Sequence, residues 1–576
     1  MDYKQIYEDW LSNPYFDDAT KAELLSIKDN DNEIKERFYM DLEFGTAGLR
    51  GIIGAGINRM NIYVVRKTTQ GLANYIKKQG GENKGVAIAY DSRRMSPEFS
   101  EEAALCLAAN GIKAYRFESL RPTPELSFAV RSLGCIAGIN ITASHNPPEY
   151  NGYKVYWEDG AQITPPHDSG IMDEVKAVTD YNNVLTMDKD AAIAAGLYVT
   201  IGQDVDDKYI AELKKQVKHM DSIKEVGDSI KIVYTPLHGT GNIPARRILK
   251  EIGFNNVYVV PEQELPDGEF PTVSYPNPES DEAFVLGLEM AKKLDADLVL
   301  ATDPDADRLG VRVKDKDGEY HCLTGNMSGC LLAEYTISQW KAQKGLPEDG
   351  ALIKTIVTTN MADAIARGYN IRLIECLTGF KYIGQQILGF ETSGKGTYLF
   401  GFEESYGCLI GTHARDKDAI VATMALCEAA AYYKTQGKTL WDAMIDMYEK
   451  YGYYKDDVKA IGLSGIEGLA KIQSIMETLR SNPPVEVGGY QVLSARDYKK
   501  DEIVDMATKA VTPTGLPSSN VLYYDLNDDA WLCVRPSGTE PKIKFYYGIK
   551  GASLADADAK SEALGKAVLD MINAML

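Results

Sequence analysis

Long apolar runs, paired cysteines and an excess of positive charge are all missing from this 576-residue chain. No stretch approaches the roughly 20 apolar residues that a membrane-spanning helix needs. The start, MDYKQIYEDW, has no basic patch followed by an apolar segment, so no export signal is expected and the expected compartment is the cytoplasm. The eight cysteines contain no C-x-x-C pair, which argues against a zinc site or a disulfide framework and for buried reduced thiols. Lys plus Arg number 62 against 83 Asp plus Glu, a net charge of −21, the wrong sign for a nucleic-acid or anionic-membrane partner. Any anionic ligand must be caught by a local cluster of cations. Walker, G-x-G-x-x-G and G-x-S-x-G motifs are also absent, so P-loop, dinucleotide and α/β-hydrolase chemistries are not indicated.

What is present is ordinary globular material: 44% hydrophobic and 25% charged residues, in a chain too long for one core. Short β-rich runs alternate with helical stretches in three blocks. The first has strands at residues 85–90, 112–117 and 136–142, with helices entered at Pro97 and Pro124. The second has strands at 229–234, 256–260 and 296–301, with helices at 244–252 and 279–294; the third has strands at 351–358, 371–375 and 396–400, with helices at 361–367 and 381–388. After about Tyr451 the pattern becomes mixed strands and a long terminal helix from Leu554. The expected fold is α/β: three related α/β domains followed by a smaller C-terminal α+β domain.

Ligands of open α/β sheets sit beyond the carboxyl ends of strands, and four strand-end loops there carry chemistry. Ser144, in Thr142-Ala143-Ser144-His145-Asn146-Pro147, is placed as a solvent-presented nucleophile or phosphate carrier would be; a turn-capping serine is the plainer reading. Asp303, Asp305 and Asp307 in DPDADR would repel one another without a hard cation, and oxygen-only ligands suit Mg2+. An EF-hand is excluded, because Arg308 and Lys314 stand where it needs Gly and Glu. Glu403 and Ser405 in GFEESYG offer paired acceptors and donors for sugar hydroxyls, though such a loop can equally be a solvated face. Arg535-Pro536-Ser537-Gly538-Thr539-Glu540-Pro541-Lys542 combines cations, hydroxyls and a glycine, which is a nest for a phosphate dianion.

Taken in this order, the four loops resemble the α-D-phosphohexomutase superfamily. The segment Gly45-Thr46-Ala47-Gly48-Leu49-Arg50-Gly51, with Gly54 to Asn61, is similar to its phosphoglucomutase and phosphopentomutase branch. The resemblance spans essentially the whole chain. It implies four domains around a central cleft: 1–205 with a phosphoserine loop, 206–325 with a metal loop, 326–450 with a sugar loop and 451–576 with a phosphate loop. Ser144 would carry a phosphoryl group, and Asp303, Asp305 and Asp307 would bind Mg2+ together with an oxygen on Ser144. Arg308 would lie beside that phosphate. Arg50, Lys154 and Lys417 would stabilise the transition state or move a proton, with His145 adjacent. Glu403, Ser405, Thr378 and Gly379 would contact the sugar, and Arg535, Ser537, Gly538, Thr539 and Lys542 its idle phosphate.

The activity implied is a glucose 1-phosphate to glucose 6-phosphate mutase working through glucose 1,6-bisphosphate, which is both intermediate and activator. A pentose or mannose phosphate is the alternative substrate, and a phosphatase or a non-catalytic sugar-phosphate binder is the alternative class. Small sugar phosphates are the implied partners, and the chain is expected as a monomer or weak homodimer. Two departures from the family pattern stand out: Pro304 and Ala306 in the metal loop, and Phe402 before the sugar-loop Glu, all where glycine is frequent.

Overall fold

The computed structural model describes every residue except 1, 43–47, 464 and 538–541. The chain forms two compact units. One comprises Met1–Cys322, Gly384–Ser393 and Tyr406–Gly437; the other comprises Leu323–Ile383, Gly394–Ser405 and Lys438–Leu576.

In the first unit, strands Val86–Tyr90, Ala114–Phe117, Ala137–Ile141 and Tyr198–Ile201 are parallel. All five residues of both VAIAY and AGINI are buried, as strands covered by helices on both faces must be. Pro97 and Pro124 each lie in the first turn of their helix, where the missing N–H costs nothing. The second of these helices stops at Gly134, which takes the left-handed conformation, with φ 67.

The sheet is mixed and not wholly parallel. Tyr150–Trp157 runs antiparallel to Ala137–Ile141, pairing Lys154 with Asn140, and Leu49–Ile52 extends the edge with Arg50 opposite Gly152. The loop after Ile141 therefore sends the chain back along the same sheet, and this return places Lys154 beside the serine loop. A Cβ at Gly152 would stand 2.5 Å from the Thr142 carbonyl oxygen, so this close return requires glycine.

The second sheet has the order Tyr320–Leu323, Leu309–Lys314, Leu298–Thr302, Ile232–Thr235, Val257–Val259. Leu309 opposes Thr302 in an antiparallel pair, so the DPDADR segment is the loop of a hairpin. The helix expected over 279–294 is instead a 3-10 turn, Asp281–Phe284, leading into an α-helix over Val285–Leu294. Ser280 starts it by accepting the Glu282 N–H, which leaves Pro278 and Glu279 outside the helix.

In the second unit, Gly350–Thr355 pairs in parallel with Arg372–Cys376 and Thr397–Glu403. The C-terminal part is a largely antiparallel sheet that includes Tyr453–Gly462, Lys542–Gly551, Trp531–Pro536 and Leu522–Leu526, with helix Leu554–Asn573 supplying Leu564, Val568 and Ile572 to its core. Phe402 is fully buried here, and a Cβ at Gly329 would stand 2.1 Å from its ring. The bulky residue before the sugar-loop Glu is thus matched by a missing side chain on the helix opposite. Gly329→Ala is expected to destabilise the chain by about 1–3 kcal/mol through overpacking, seen as a lower urea midpoint.

Candidate active site

Ser144 sits in the left-handed region, with φ 51, in a stretch without helix or strand. Its N–H donates to Thr142 Oγ1 at 2.8 Å, and its Oγ donates to Asp303 Oδ2 at 2.8 Å, with His145 Nδ1 at 3.1 Å. The serine is 1% exposed, not presented to solvent as its loop position suggested, because the aspartate loop covers its hydroxyl. Burial, with Arg308 and Arg50 nearby, depresses the His145 pKa well below its ordinary value, so the imidazole is neutral at pH 7.

Asp303, Asp305 and Asp307 are 0%, 0% and 2% exposed, and one oxygen from each lies within 4.8 Å of the others. Asp303 Oδ1 accepts the N–H groups of Asp307 at 3.1 Å and Arg308 at 3.0 Å, which winds the hairpin loop around its own first carboxylate. Ala306 completes the turn at φ 51, a left-handed conformation that glycine adopts more readily. Asp305 Oδ2 accepts from Lys154 Nζ at 2.7 Å and Thr123 Oγ1 at 2.8 Å. Asp307 Oδ2 has Lys417 Nζ at 3.1 Å and Lys154 Nζ at 3.8 Å.

These residues fit a hard divalent cation. Asp305 Oδ1 and Asp307 Oδ1 are buried oxygens without a hydrogen-bond partner among the described residues. Burial and the charges of Asp305 and Asp307 drive the Asp303 pKa well above the carboxylate range, the strain that a cation relieves.

Arg50 reaches the serine loop, its Nη1 donating to Asn146 Oδ1 at 2.8 Å, and Arg308 pairs with Glu279 as well as lying near Asp307. Lys417 is delivered by the segment after Gly407: it also bonds Asp416 Oδ1 at 3.1 Å, while Asp416 Oδ2 accepts from Tyr156 at 2.9 Å. Asp418 caps the helix Ala419–Lys434 and is held by Tyr209 at 2.9 Å and His413 at 2.7 Å. Lys417 lies over Gly407, where a Cβ would stand 2.0 Å from its Cδ. Gly407→Ala is therefore expected to displace a flexible side chain and not the backbone. The melting temperature should stay near wild type while turnover falls by about tenfold or more, which paired melting and rate measurements check.

The other two loops belong to the second unit. Ser405 Oγ donates to Glu403 Oε1 at 3.0 Å, and neighbouring Glu404 accepts from Thr355 at 3.2 Å. Thr378 and Gly379 precede helix Phe380–Ser393, with Gly379 at φ 113. Arg535 opposes Lys544 in a hairpin, and the Ser537 N–H donates to the Lys542 carbonyl at 2.7 Å across its neck. Gly538 and Thr539 lie outside the described residues, as do Gly45, Thr46 and Ala47.

Sequence reasoning missed several residues that serve the first two loops. Thr123 and Asn140, linked to each other at 2.7 Å, orient Asp305; Tyr156 holds Asp416; Arg93 binds the serine loop. None belongs to a loop motif, although Asn140 on an otherwise apolar strand is a signal that could have been read.

Comparison with known proteins identifies the family. Three models match in chain order: phosphoglucomutase/phosphomannomutase α/β/α domain I over residues 41–182, domain II over 207–318 and domain III over 324–451. The chain is 37% identical over 536 residues to a phosphoglucomutase of Staphylococcus aureus MRSA252, covering 93% of this chain and 94% of that one. It is also 37% identical over 525 residues to one of Staphylococcus saprophyticus, covering 91% and 93%. Among solved structures it shares the fold of a Burkholderia thailandensis phosphoglucomutase/phosphomannomutase family protein, with TM-score 0.66 and 20% identity over 93% of this chain and 98% of that one. The same holds for Paramecium pp63/parafusin in its open form, with TM-score 0.67 and 18% identity over 93% and 95%. With the buried serine bonded to an aspartate cluster and three family domains in register along the sequence, the chain belongs to the phosphoglucomutase/phosphomannomutase family of the α-D-phosphohexomutase superfamily.

Proposed function

We propose that the protein interconverts glucose 1-phosphate and glucose 6-phosphate through a phosphorylated Ser144 and a glucose 1,6-bisphosphate intermediate. The observation that carries this reading is the 2.8 Å bond between buried Ser144 Oγ and Asp303 Oδ2, which joins a nucleophile to a cation site. The 37% identity to proteins named phosphoglucomutase supports glucose as the sugar.

Asp303, Asp305, Asp307 and an oxygen on Ser144 would hold Mg2+, which when bound offsets charge on the transferring phosphoryl oxygens. The chain's own residues do the rest. When Ser144 takes back a phosphoryl group, its hydroxyl proton has Asp303 and neutral His145 in reach. Arg308 offsets charge on the transferring phosphoryl oxygens, and Arg50, Lys154 and Lys417 stabilise the developing transition state or move the proton of the sugar hydroxyl under attack. Glu403 and Ser405, with Thr378 and Gly379, are assigned to the sugar hydroxyls. Arg535, Ser537, Gly538, Thr539 and Lys542 are assigned to the phosphate that is not moving. In this reading the domains run 1–205, 206–325, 326–450 and 451–576, each giving one loop. Burial of Ser144 suits the task, since water at a phosphoserine would turn a mutase into a phosphatase.

A coupled assay of glucose 1-phosphate against ribose 1-phosphate and mannose 1-phosphate, with catalytic bisphosphate and Mg2+, tests the reading. The expected result is a preference for glucose 1-phosphate with little free phosphate released. Stoichiometric phosphate release, or preference for another sugar, counts against it.

A further inference from the structure

We infer that Arg93 is a positioning residue for the phosphoryl relay: its buried guanidinium binds the backbone carbonyls of the serine loop and so holds Ser144 Oγ at Asp303, an assignment that rests on the function proposed above. Arg93 is 1% exposed. Its Nη2 donates to the carbonyl oxygens of Ser144, at 2.6 Å, and Asn146. Its Nη1 donates to those of Pro147 at 2.8 Å and Tyr150 at 3.1 Å. Both terminal nitrogens of one side chain thus serve carbonyls of the serine loop, the last of them at Tyr150 where the next strand begins.

The guanidinium is itself built in. Asp91 Oδ2 lies 3.4 Å from its Nε, with both side chains fully buried, and Asp91 Oδ1 accepts the Arg93 N–H at 2.9 Å and Ser96 Oγ at 2.8 Å. The Phe270 ring lies 5.0 Å from the guanidinium carbon. Burial lowers the Arg93 pKa to about 10, which still leaves it charged at neutral pH.

A loop without helix or strand has no ladder to pair its carbonyls, and a non-glycine residue at φ 51 persists only where its surroundings over-determine it. The planar fork of arginine reaches acceptors in several directions at once; the point charge of lysine does not. Arg93 therefore acts on the reaction through the serine's position, and its loss should lower kcat and leave sugar binding alone.

The test uses two full-length variants. Asp91→Asn/Arg93→Met removes the buried ion pair as a unit, leaving no lone charge, and Arg93→Lys keeps charge without the fork. Thermal melting reports folding. Mass spectrometry after incubation with glucose 1,6-bisphosphate gives the fraction of Ser144 that can be phosphorylated, and kcat is normalised to it. The expected result is a normalised kcat lowered by about 100-fold in the double variant, with KM for glucose 1-phosphate unchanged within about threefold and at most partial recovery with lysine. A normalised kcat near wild type in either folded variant overturns the assignment, because a merely structural residue lowers the active fraction and not its rate. Absence of both phospho-Ser144 and turnover in the wild type would instead overturn the proposed function, and this assignment with it.

Discussion

Ser144→Ala is expected to abolish turnover, by at least about 10^4-fold, while the fold survives. What the substitution removes is one hydroxyl. The loop keeps its backbone bond from the Ser144 N–H to Thr142 Oγ1 and its carbonyl bond to Arg93, neither of which needs the side chain. The stability lost is that of one buried hydrogen bond to Asp303, about 1–2 kcal/mol. A melting curve and a coupled assay on the same preparation separate the two effects. A variant that melts near wild type and still turns over within tenfold of it would show that the phosphoryl group does not travel through this serine.

Asp305→Ala is expected to be costly twice over. Lys154 Nζ lies 2.7 Å from Asp305 Oδ2 with side-chain exposures of 4% and 0%, so removing the carboxylate leaves a buried ammonium with Asp307 Oδ2 at 3.8 Å in place of its hydrogen-bonded partner. Burial opposes ionisation of Asp305, but the charge of Lys154 and hydrogen bonds from Asp303, Lys154 and Thr123 override it and hold the carboxyl far below its usual range. Breaking such a pair from one side costs about 3–5 kcal/mol, and at about 2–4 °C per kcal/mol the metal-free protein should melt several degrees lower or more. Adding Lys154→Met to the same chain should return most of that stability, because the unpaired charge is gone. It should return none of the turnover, because a candidate cation ligand and a candidate catalytic lysine are both missing. Loss of stability that the second substitution does not repair would mean that the pair is not what holds these two loops together.

Much of this arrangement was legible because α/β architecture puts chemistry at strand ends. Ser144, Asp303, Asp305 and Asp307 follow buried strands whose apolar runs are plain in the sequence, and the two loops meet at the bond between Ser144 Oγ and Asp303 Oδ2. The reversal into Tyr150–Trp157 was not legible. YNGYKVYW has β-forming residues, but its Asn151-Gly152 pair reads as a turn and instead lies inside one continuous strand, so the return along the sheet from which Lys154 takes its place is masked.

Arg93 was hidden for a different reason. Its partners are backbone carbonyls, which carry no sequence signal, and an arginine in DSRRMS reads as a surface residue until its burial is seen. Thr123 and Asn140 act on Asp305 from a helix start and a strand interior, separated from it by more than 150 residues of sequence, a spacing that no motif encodes. Ala306 and Phe402 looked like departures from the pattern. The structure accounts for both, the first by a left-handed turn that alanine tolerates at some strain and the second by the space that Gly329 leaves.

The central claim is that Ser144 holds the phosphoryl group between its two journeys. Mass spectrometry of the intact protein and its peptides, before and after brief exposure to glucose 1,6-bisphosphate, tests it most directly. One phosphoryl group per chain is expected, located on Ser144 and discharged by adding glucose 6-phosphate. A protein that turns over with its phosphate on another residue, or with none on Ser144 at any stage, would contradict it.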